Sequence, residues 1–310
     1  MKRFYANMIA FLIVLTAVLG CLDIMSMREP FNYKLARWTN SVDYFGGGPD
    51  EISPYIERAQ TADGTTKLII GDSVCHQLFS GLQEYNGDIS ILGSNGAITM
   101  AGQYILAKEY LEVHPSATDV FLIVLPESFG RTFDTKWGYQ YTVMPFVGSG
   151  TIKDLDSDTI DIMARTYGRL FMNERVVRSL YLSAVNRKIY LNVLADRTSG
   201  YKLSDRFELA DRYVVKIADL CASRGVRFHL YPCPVCETKK EKVENLRPAF
   251  EASKVYALNP DLLDMVLYYP AEQASDGTHF SGDYKNREHY NRIIRQQYEG
   301  LELLDGLKLE

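Results

Sequence analysis

Two short motifs far apart in the chain hold the side-chain types of a serine-dependent acyl transfer. Gly71-Asp72-Ser73 follows the apolar run Leu68-Ile69-Ile70, and Asp276-Gly277-Thr278-His279 lies near the other end of the 310 residues. A serine hydroxyl is a weak nucleophile until a base takes its proton and a third group fixes the tautomer of that base. Ser73, His279 and Asp276 supply those three parts. A carboxylate three residues before a histidine reaches its Nδ1 within one turn and leaves Nε2 for the serine. Each motif also has a structural reading: Ser73 as a helix cap satisfying orphan backbone N–H groups, and Asp276 as a turn initiator beside a satisfied surface histidine.

The surrounding pattern must position these groups. Lys67 to Ile70 reads as a short buried strand, and Ser73 to Leu82 as a helix with Val74, Leu78 and Leu82 on its apolar face. A strand that runs into a small-residue turn and a helix presents the first helical residue at the carboxyl edge of a sheet, where ligands of open α/β folds sit. The alternation continues with a strand at 88–92, a helix at about 97–112 and a strand at 119–125. It resumes later with a long amphipathic helix from about Ser204 to Arg224, stopped by Gly225, and a strand at 226–231. That order predicts right-handed crossovers and a parallel sheet. Ser275, Gly277, Thr278, Ser281 and Gly282 place His279 in a loop, followed by a helix from about Asp283 to Tyr298.

Between Phe129 and about Ser204 the rhythm breaks. Helical stretches near 157–172 and 174–195 predict a mainly helical insertion, at about 129–203, that caps the site. Its aromatic residues Phe133, Trp137, Tyr139, Tyr141 and Phe146 either build a core or stack on sugar rings. His76 and His229 adjoin strand ends, without a role that the sequence assigns.

At the amino terminus Lys2 and Arg3 precede an apolar run from Phe4 to Leu22, interrupted by Asn7 and Thr16 and ended by Asp23. Such a run just spans a hydrocarbon core of about 30 Å. The preceding positive charge predicts a cytoplasmic amino terminus and an extracytoplasmic, membrane-anchored body. A cleaved signal peptide is one alternative, and a lipidated Cys21 in Val18-Leu19-Gly20-Cys21 is another. The expected organisation is an anchor at 1–25, a spacer at 26–60 containing Pro30, Gly46-Gly47-Gly48-Pro49 and Pro54, and an α/β domain at 61–305.

A formal net charge of -5 offers no basic surface for phosphate neutralisation, so nucleic acid is not an expected partner. Cys233-Pro234-Val235-Cys236 lacks the second cysteine pair of a zinc site. It reads as a local disulfide or two shielded thiols, with a redox role as the competing reading. Cys75, two residues from Ser73, reads as a small buried side chain. Neither a metal nor another cofactor is expected.

The two motifs resemble those of the SGNH hydrolase superfamily, in which a Gly-Asp-Ser block near the start of the domain and an Asp-x-x-His block near its end form the site. The resemblance implies a three-layer, flavodoxin-like α/β sandwich and ester hydrolysis or acyl transfer through Ser73, His279 and Asp276. In layout, a membrane-anchored domain of this type resembles the extracytoplasmic proteins of cell-envelope polymer modification, such as alginate acetylation and teichoic acid alanylation. That likeness implies an acyl donor carrying acetyl or a similar group, a polysaccharide acceptor and a membrane-bound O-acyltransferase as partner. One departure concerns the oxyanion hole. Where the superfamily has a Gly-x-Asn-Asp block after the third strand, this chain has Leu125-Pro126-Glu127-Ser128. The earlier block, Gly93-Ser94-Asn95-Gly96, is better kept. It implies the N–H of Gly93 or Gly96 as one oxyanion donor, the Ser73 N–H as the second and Asn95 as a third. The missing asparagine also leaves open a non-catalytic scaffold or binding protein of the same fold.

Overall fold

A computed structural model describes residues 2–26, 52–94, 99–133, 144–173 and 207–309. In chain order the elements are α1 (Lys2–Ser26), α2 (Ser53–Ala59), β1 (Lys67–Gly71), α3 (Ser73–Phe79), β2 (Ile89–Ile91), α4 (Met100–Val113), β3 (Asp119–Val124), α5 (Met144–Ser149) and α6 (Ser157–Tyr167). There follow α7 (Glu208–Ser223), β4 (Arg227–Pro232), β5 (Val235–Cys236), α8 (Lys240–Glu244), α9 (Arg247–Glu251), β6 (Tyr268–Tyr269) and α10 (Arg287–Gln297).

Parallel strands covered on both faces read as unbroken apolar runs rather than alternating ones. Every residue of β3 is buried, as are the last four of β1. These strands form a four-stranded parallel sheet in the order β2-β1-β3-β4. A second, two-stranded parallel pair joins β5 to β6. From β1 the chain steps one way to β2, then back across β1 to β3 and on to β4. With right-handed crossovers this reversal puts α3 on one face and α4 with α7 on the other. The packing agrees, since α4 contacts α7 and α2, whereas α3 contacts α10. The class is therefore α/β with a central parallel sheet between helices, as the alternating pattern predicts. The reversal at β1 and β3 is the switch point outside whose carboxyl ends ligands of open sheets bind.

One expectation is corrected. The last part of the predicted spacer is folded: Ile52, Ile56 and Ala59 are buried, and Arg58 donates to the Gln83 side chain at 3.1 Å. A helix with an apolar stripe at spacing three and four buries that stripe whatever prolines precede it, and Pro54 sits in its first turn, where a missing N–H costs nothing. Of the aromatic residues read either as core or as sugar-stacking groups, Phe133 and Phe146 are core residues, 5% and 0% exposed. Trp137, Tyr139 and Tyr141 lie outside the described residues, as does the helix predicted at 174–195.

What is described of the insertion is tied to the α4 and α7 layer. Asp156 caps α6 by accepting from the Thr159 N–H at 2.9 Å, and also accepts from Arg212 and Tyr213 of α7 at 3.0 and 2.9 Å. Burial would raise its carboxyl pKa, but the hydrogen bonds from Lys216, Thr159 and Tyr213 hold it far below the usual range. At the amino terminus, Lys2–Leu22 is long and apolar enough to cross a membrane or to act as a signal sequence, and none of it is buried against the rest of the protein.

Candidate active site

The carboxyl end of the sheet gathers the pieces. Ser94 N–H donates to the Gly71 carbonyl at 3.1 Å, and Cys233 N–H to the Val124 carbonyl at 2.8 Å, so the chain leaves β1, β2, β3 and β4 at one edge. Gly71 must lack a side chain, because a Cβ there would lie 2.0 Å from the Ile123 carbonyl oxygen.

The cap of α3 is Asp72, not Ser73. Asp72 Oδ1 accepts from the Val74 N–H at 3.1 Å, the usual bond of a helix-capping carboxylate. Its other oxygen accepts from the Leu125 N–H and the Ser128 hydroxyl, both at 2.7 Å. The capping role that the sequence offered to Ser73 is thus filled by its neighbour. The Ser73 hydroxyl instead meets His279 Nε2 at 2.8 Å, across 206 residues of sequence. His279 Nδ1 lies 2.8 Å from Asp276 Oδ2. Asp276 can only accept, so Nδ1 carries the proton and Nε2 is left as the acceptor for the serine.

The Asp276 to His279 loop has an internal scaffold. Asp276 Oδ1 accepts from the backbone N–H groups of Thr278 and His279 at 2.9 and 2.8 Å. Closing so tight a turn needs Gly277 at φ +71°, a conformation that costs other residues about 1–2 kcal/mol. The Tyr269 hydroxyl donates to the Thr278 carbonyl at 2.6 Å. Burial would raise the Asp276 pKa, but the hydrogen bonds from the His279 side chain and from the two backbone N–H groups lower it to about 2. The pair lies on an open face, the side chain of His279 being 37% and that of Asp276 55% exposed.

Gly93 is packed against the first turn of α3. A Cβ on it would lie 2.8 Å from Cys75 Sγ and 3.0 Å from His76 N. Its carbonyl accepts from His76 Nδ1 at 3.0 Å, and the Tyr55 hydroxyl oxygen is 3.0 Å from the same nitrogen. Among the described residues, no acceptor binds the N–H of Ser73 or of Gly93. Asn95 and Gly96, the other suggested oxyanion donors, lie outside the described residues.

Glu127, in the segment that follows β3, is held by two lysines. It pairs with Lys239 at 3.0 Å and Lys242 at 2.6 Å. Burial raises its pKa, but the hydrogen bonds from the two lysines prevail and hold it below the usual range. Lys239 also donates to the Thr278 hydroxyl, so this ion pair ties the loop after β3 to the loop carrying His279.

The remaining candidates fall elsewhere. His229 Nε2 pairs with Asp119 Oδ1 at 2.8 Å at the amino ends of β3 and β4, away from Ser73. Cys75, Cys233 and Cys236 are buried free thiols. Burial and the nearby Asp72 carboxylate push the first two well above an ordinary thiol pKa. No disulfide joins Cys233 to Cys236. Cavities of about 480 and 330 Å³ run along α10 and β6, lined by residues such as Arg292, Arg295 and Tyr268, and none of Ser73, His279 and Asp276 lines them. Among the described residues no cluster of His, Cys, Asp and Glu side chains could hold a metal ion.

Sequence reasoning missed the clamp made by Asp72 and the support given by His76. The signal for Asp72 was present, since an aspartate between a strand and a helix is a strong capping residue. No local pattern pointed to Ser128 as its second partner. No protein-family model, curated protein or solved structure matches this chain.

Proposed function

We propose that the chain is a membrane-tethered serine acyltransferase or esterase, with its α/β domain on the extracytoplasmic side. The observation that carries the reading is the continuous chain Ser73 Oγ, His279 Nε2, His279 Nδ1 and Asp276 Oδ2, with both contacts at 2.8 Å. Two groups from opposite ends of the sequence meet there at the edge where an α/β sheet binds its ligands.

In this reading Ser73 Oγ attacks the carbonyl carbon of an acyl donor while His279 Nε2 takes the hydroxyl proton. The oxyanion is held by the N–H groups of Ser73 and Gly93, and Asp276 stabilises the imidazolium. Collapse expels the leaving group, which receives the proton from His279, and leaves the acyl group on Ser73. A sugar hydroxyl or water then gives its proton to His279 and attacks the acyl-serine, and the returning proton restores Ser73. The open face of the triad suits a polymer hydroxyl as acceptor. The resemblance suggests an exported or cell-envelope polysaccharide, with a membrane-bound O-acyltransferase supplying acetyl or a similar group.

The test is labelling of the full-length chain in detergent with a fluorophosphonate, located by mass spectrometry, beside Ser73→Ala and His279→Ala. The expected result is an adduct on Ser73 that is lost in the first variant and strongly reduced in the second. A folded protein that does not label, or that labels equally in all three forms, overturns the reading. One observation favours a second reading, a non-catalytic scaffold of the same fold: Glu127 stands in the missing asparagine's segment, neutralised by two lysines. The same failure to label would support it.

A further inference from the structure

We infer that Gln77 is the positioning residue that fixes the general base, acting through the backbone of Phe280. The inference rests on the reading of Ser73 and His279 as nucleophile and base. Gln77 lies four residues after Ser73 on α3, hence on the same helix face. Its side-chain Nε2 donates to the Phe280 carbonyl at 2.8 Å, and its Oε1 accepts from the Phe280 N–H at 3.0 Å. An amide carries one donor and one acceptor edge, so it matches the two backbone groups of a single residue as a neighbouring strand would.

The rest of the loop explains why that match matters. Ser275 N–H donates to the His279 carbonyl at 3.0 Å, and Ser281 N–H to the Gln273 carbonyl at 3.1 Å, around an antiparallel bridge between Ala274 and Phe280. In an antiparallel ladder a bridged residue whose neighbours make the bonds turns its own N–H and C=O the other way. For Phe280 that other side is α3, and Gln77 takes both groups. Phe280 is 1% exposed and its ring lies 4.3 Å from the Tyr269 ring, centroid to centroid, so this residue is held by its side chain as well. His279 directly precedes it. Through one side chain, the helix that carries the nucleophile therefore sets the distance to the base. Without Gln77, a peptide N–H and C=O beside a buried ring lose their partners, and His279 loses its reference to Ser73.

Two variants and two readouts test this in the full-length chain in detergent micelles. Gln77→Met keeps length and removes both hydrogen bonds. Gln77→Glu keeps the acceptor and, while ionised, lacks the donor. The readouts are the rate of fluorophosphonate labelling at Ser73 and the histidine ¹⁵N NMR signal of His279 Nδ1–H, with circular dichroism to confirm folding. We expect labelling to fall on the order of a hundredfold in Gln77→Met, the cost of misplacing a catalytic group by about 1 Å, with a shifted or exchange-broadened His279 Nδ1–H signal. Gln77→Glu should fall at least as far while ionised, because its second oxygen faces the Phe280 carbonyl, and should recover toward wild type, compared at the same pH, as its carboxyl protonates and regains a donor. A folded Gln77→Met with unchanged labelling and an unchanged His279 signal overturns the inference. If that variant does not fold, the same two readouts on Gln77→Glu decide it. A wild-type chain that never labels, but whose His279 signal still responds to Gln77→Met, removes the acyl-transfer reading while leaving Gln77 as the residue that places His279.

Discussion

The carboxylate of Asp72 holds the Ser128 hydroxyl at 2.7 Å, and so joins the start of α3 to the segment that follows β3. With the bonds from the Val74 and Leu125 N–H groups, one 4%-exposed side chain fixes the two segments flanking the switch point. It does not touch the reacting atoms. Its contribution is to hold Ser73 at the first helical position and leave that hydroxyl for His279.

Loss of Asp72 should therefore be costly to the fold. Asp72→Ala leaves two buried backbone N–H groups without acceptors, and we expect a loss of about 3 kcal/mol in urea unfolding. Asp72→Asn is not a conservative repair. Either orientation of the amide turns its NH2 toward a backbone N–H, that of Val74 or that of Leu125. An asparagine variant as stable as wild type would show that the clamp is not the anchor we describe.

Asp276 leads to an expectation about pH. A carboxyl lowered from 3.8 to about 2 on folding contributes stability that is complete above about pH 4 and is lost as the pH falls through 2. Its side chain is 55% exposed, so solvent screening keeps the contribution small. Acid titration of wild type beside Asp276→Asn should show this step only in wild type. Labelling at neutral pH should fall about ten-thousandfold in the variant, because an amide can donate to Nδ1 and so favours the wrong tautomer of His279. Labelling within tenfold of wild type would remove Asp276 from the triad.

The parts of this site that were legible in the sequence were local ones. The strand, turn and helix around Ser73 followed from an unbroken apolar run before Gly71-Asp72, and the Asp276 to His279 spacing carried its own turn. Contacts spanning many residues were not legible. Nothing near Gln77 or Asp72 announces Phe280 or Ser128 as its partner, because those pairings depend on the order in which the strands lie side by side. The end of the spacer was misread for a related reason. Proline and glycine mark breaks in regular structure, but the apolar stripe of Ile52, Ile56 and Ala59 finds its cover only once α4 is in place.

Gly93 and Gly277 should fail in different ways when each becomes alanine. At Gly93 the added Cβ meets Cys75 Sγ at 2.8 Å and His76 N at 3.0 Å, so the loop must move away from α3. The N–H group proposed as an oxyanion donor moves with it, and we expect labelling to fall on the order of a hundredfold or more. At Gly277 the nearest atom to the added Cβ is Thr238 Oγ1 at 3.5 Å, an ordinary contact. The cost there is the left-handed backbone alone, about 1–2 kcal/mol of stability. Equal effects of the two substitutions on labelling would argue against a specific role for the Gly93 N–H.

The thiols separate acyl transfer from redox chemistry. A reactive cysteine is an accessible thiolate with a lowered pKa, and this fold does the opposite. Cys75 and Cys233 are fully buried, and desolvation together with the charge of Asp72 raises both; Cys221, also buried, is raised to about 12 by desolvation. Cys236 is 1% exposed, and its Sγ lies 3.2 Å from the Thr238 hydroxyl. We expect a water-soluble maleimide to leave these four unmodified in the native chain and to modify all of them after denaturation. Air oxidation should leave the mass free of a Cys233 to Cys236 disulfide. Rapid native modification of Cys233 or Cys236 would revive the thiol-disulfide reading, because a thiol as buried as these two is out of reach of a water-soluble reagent.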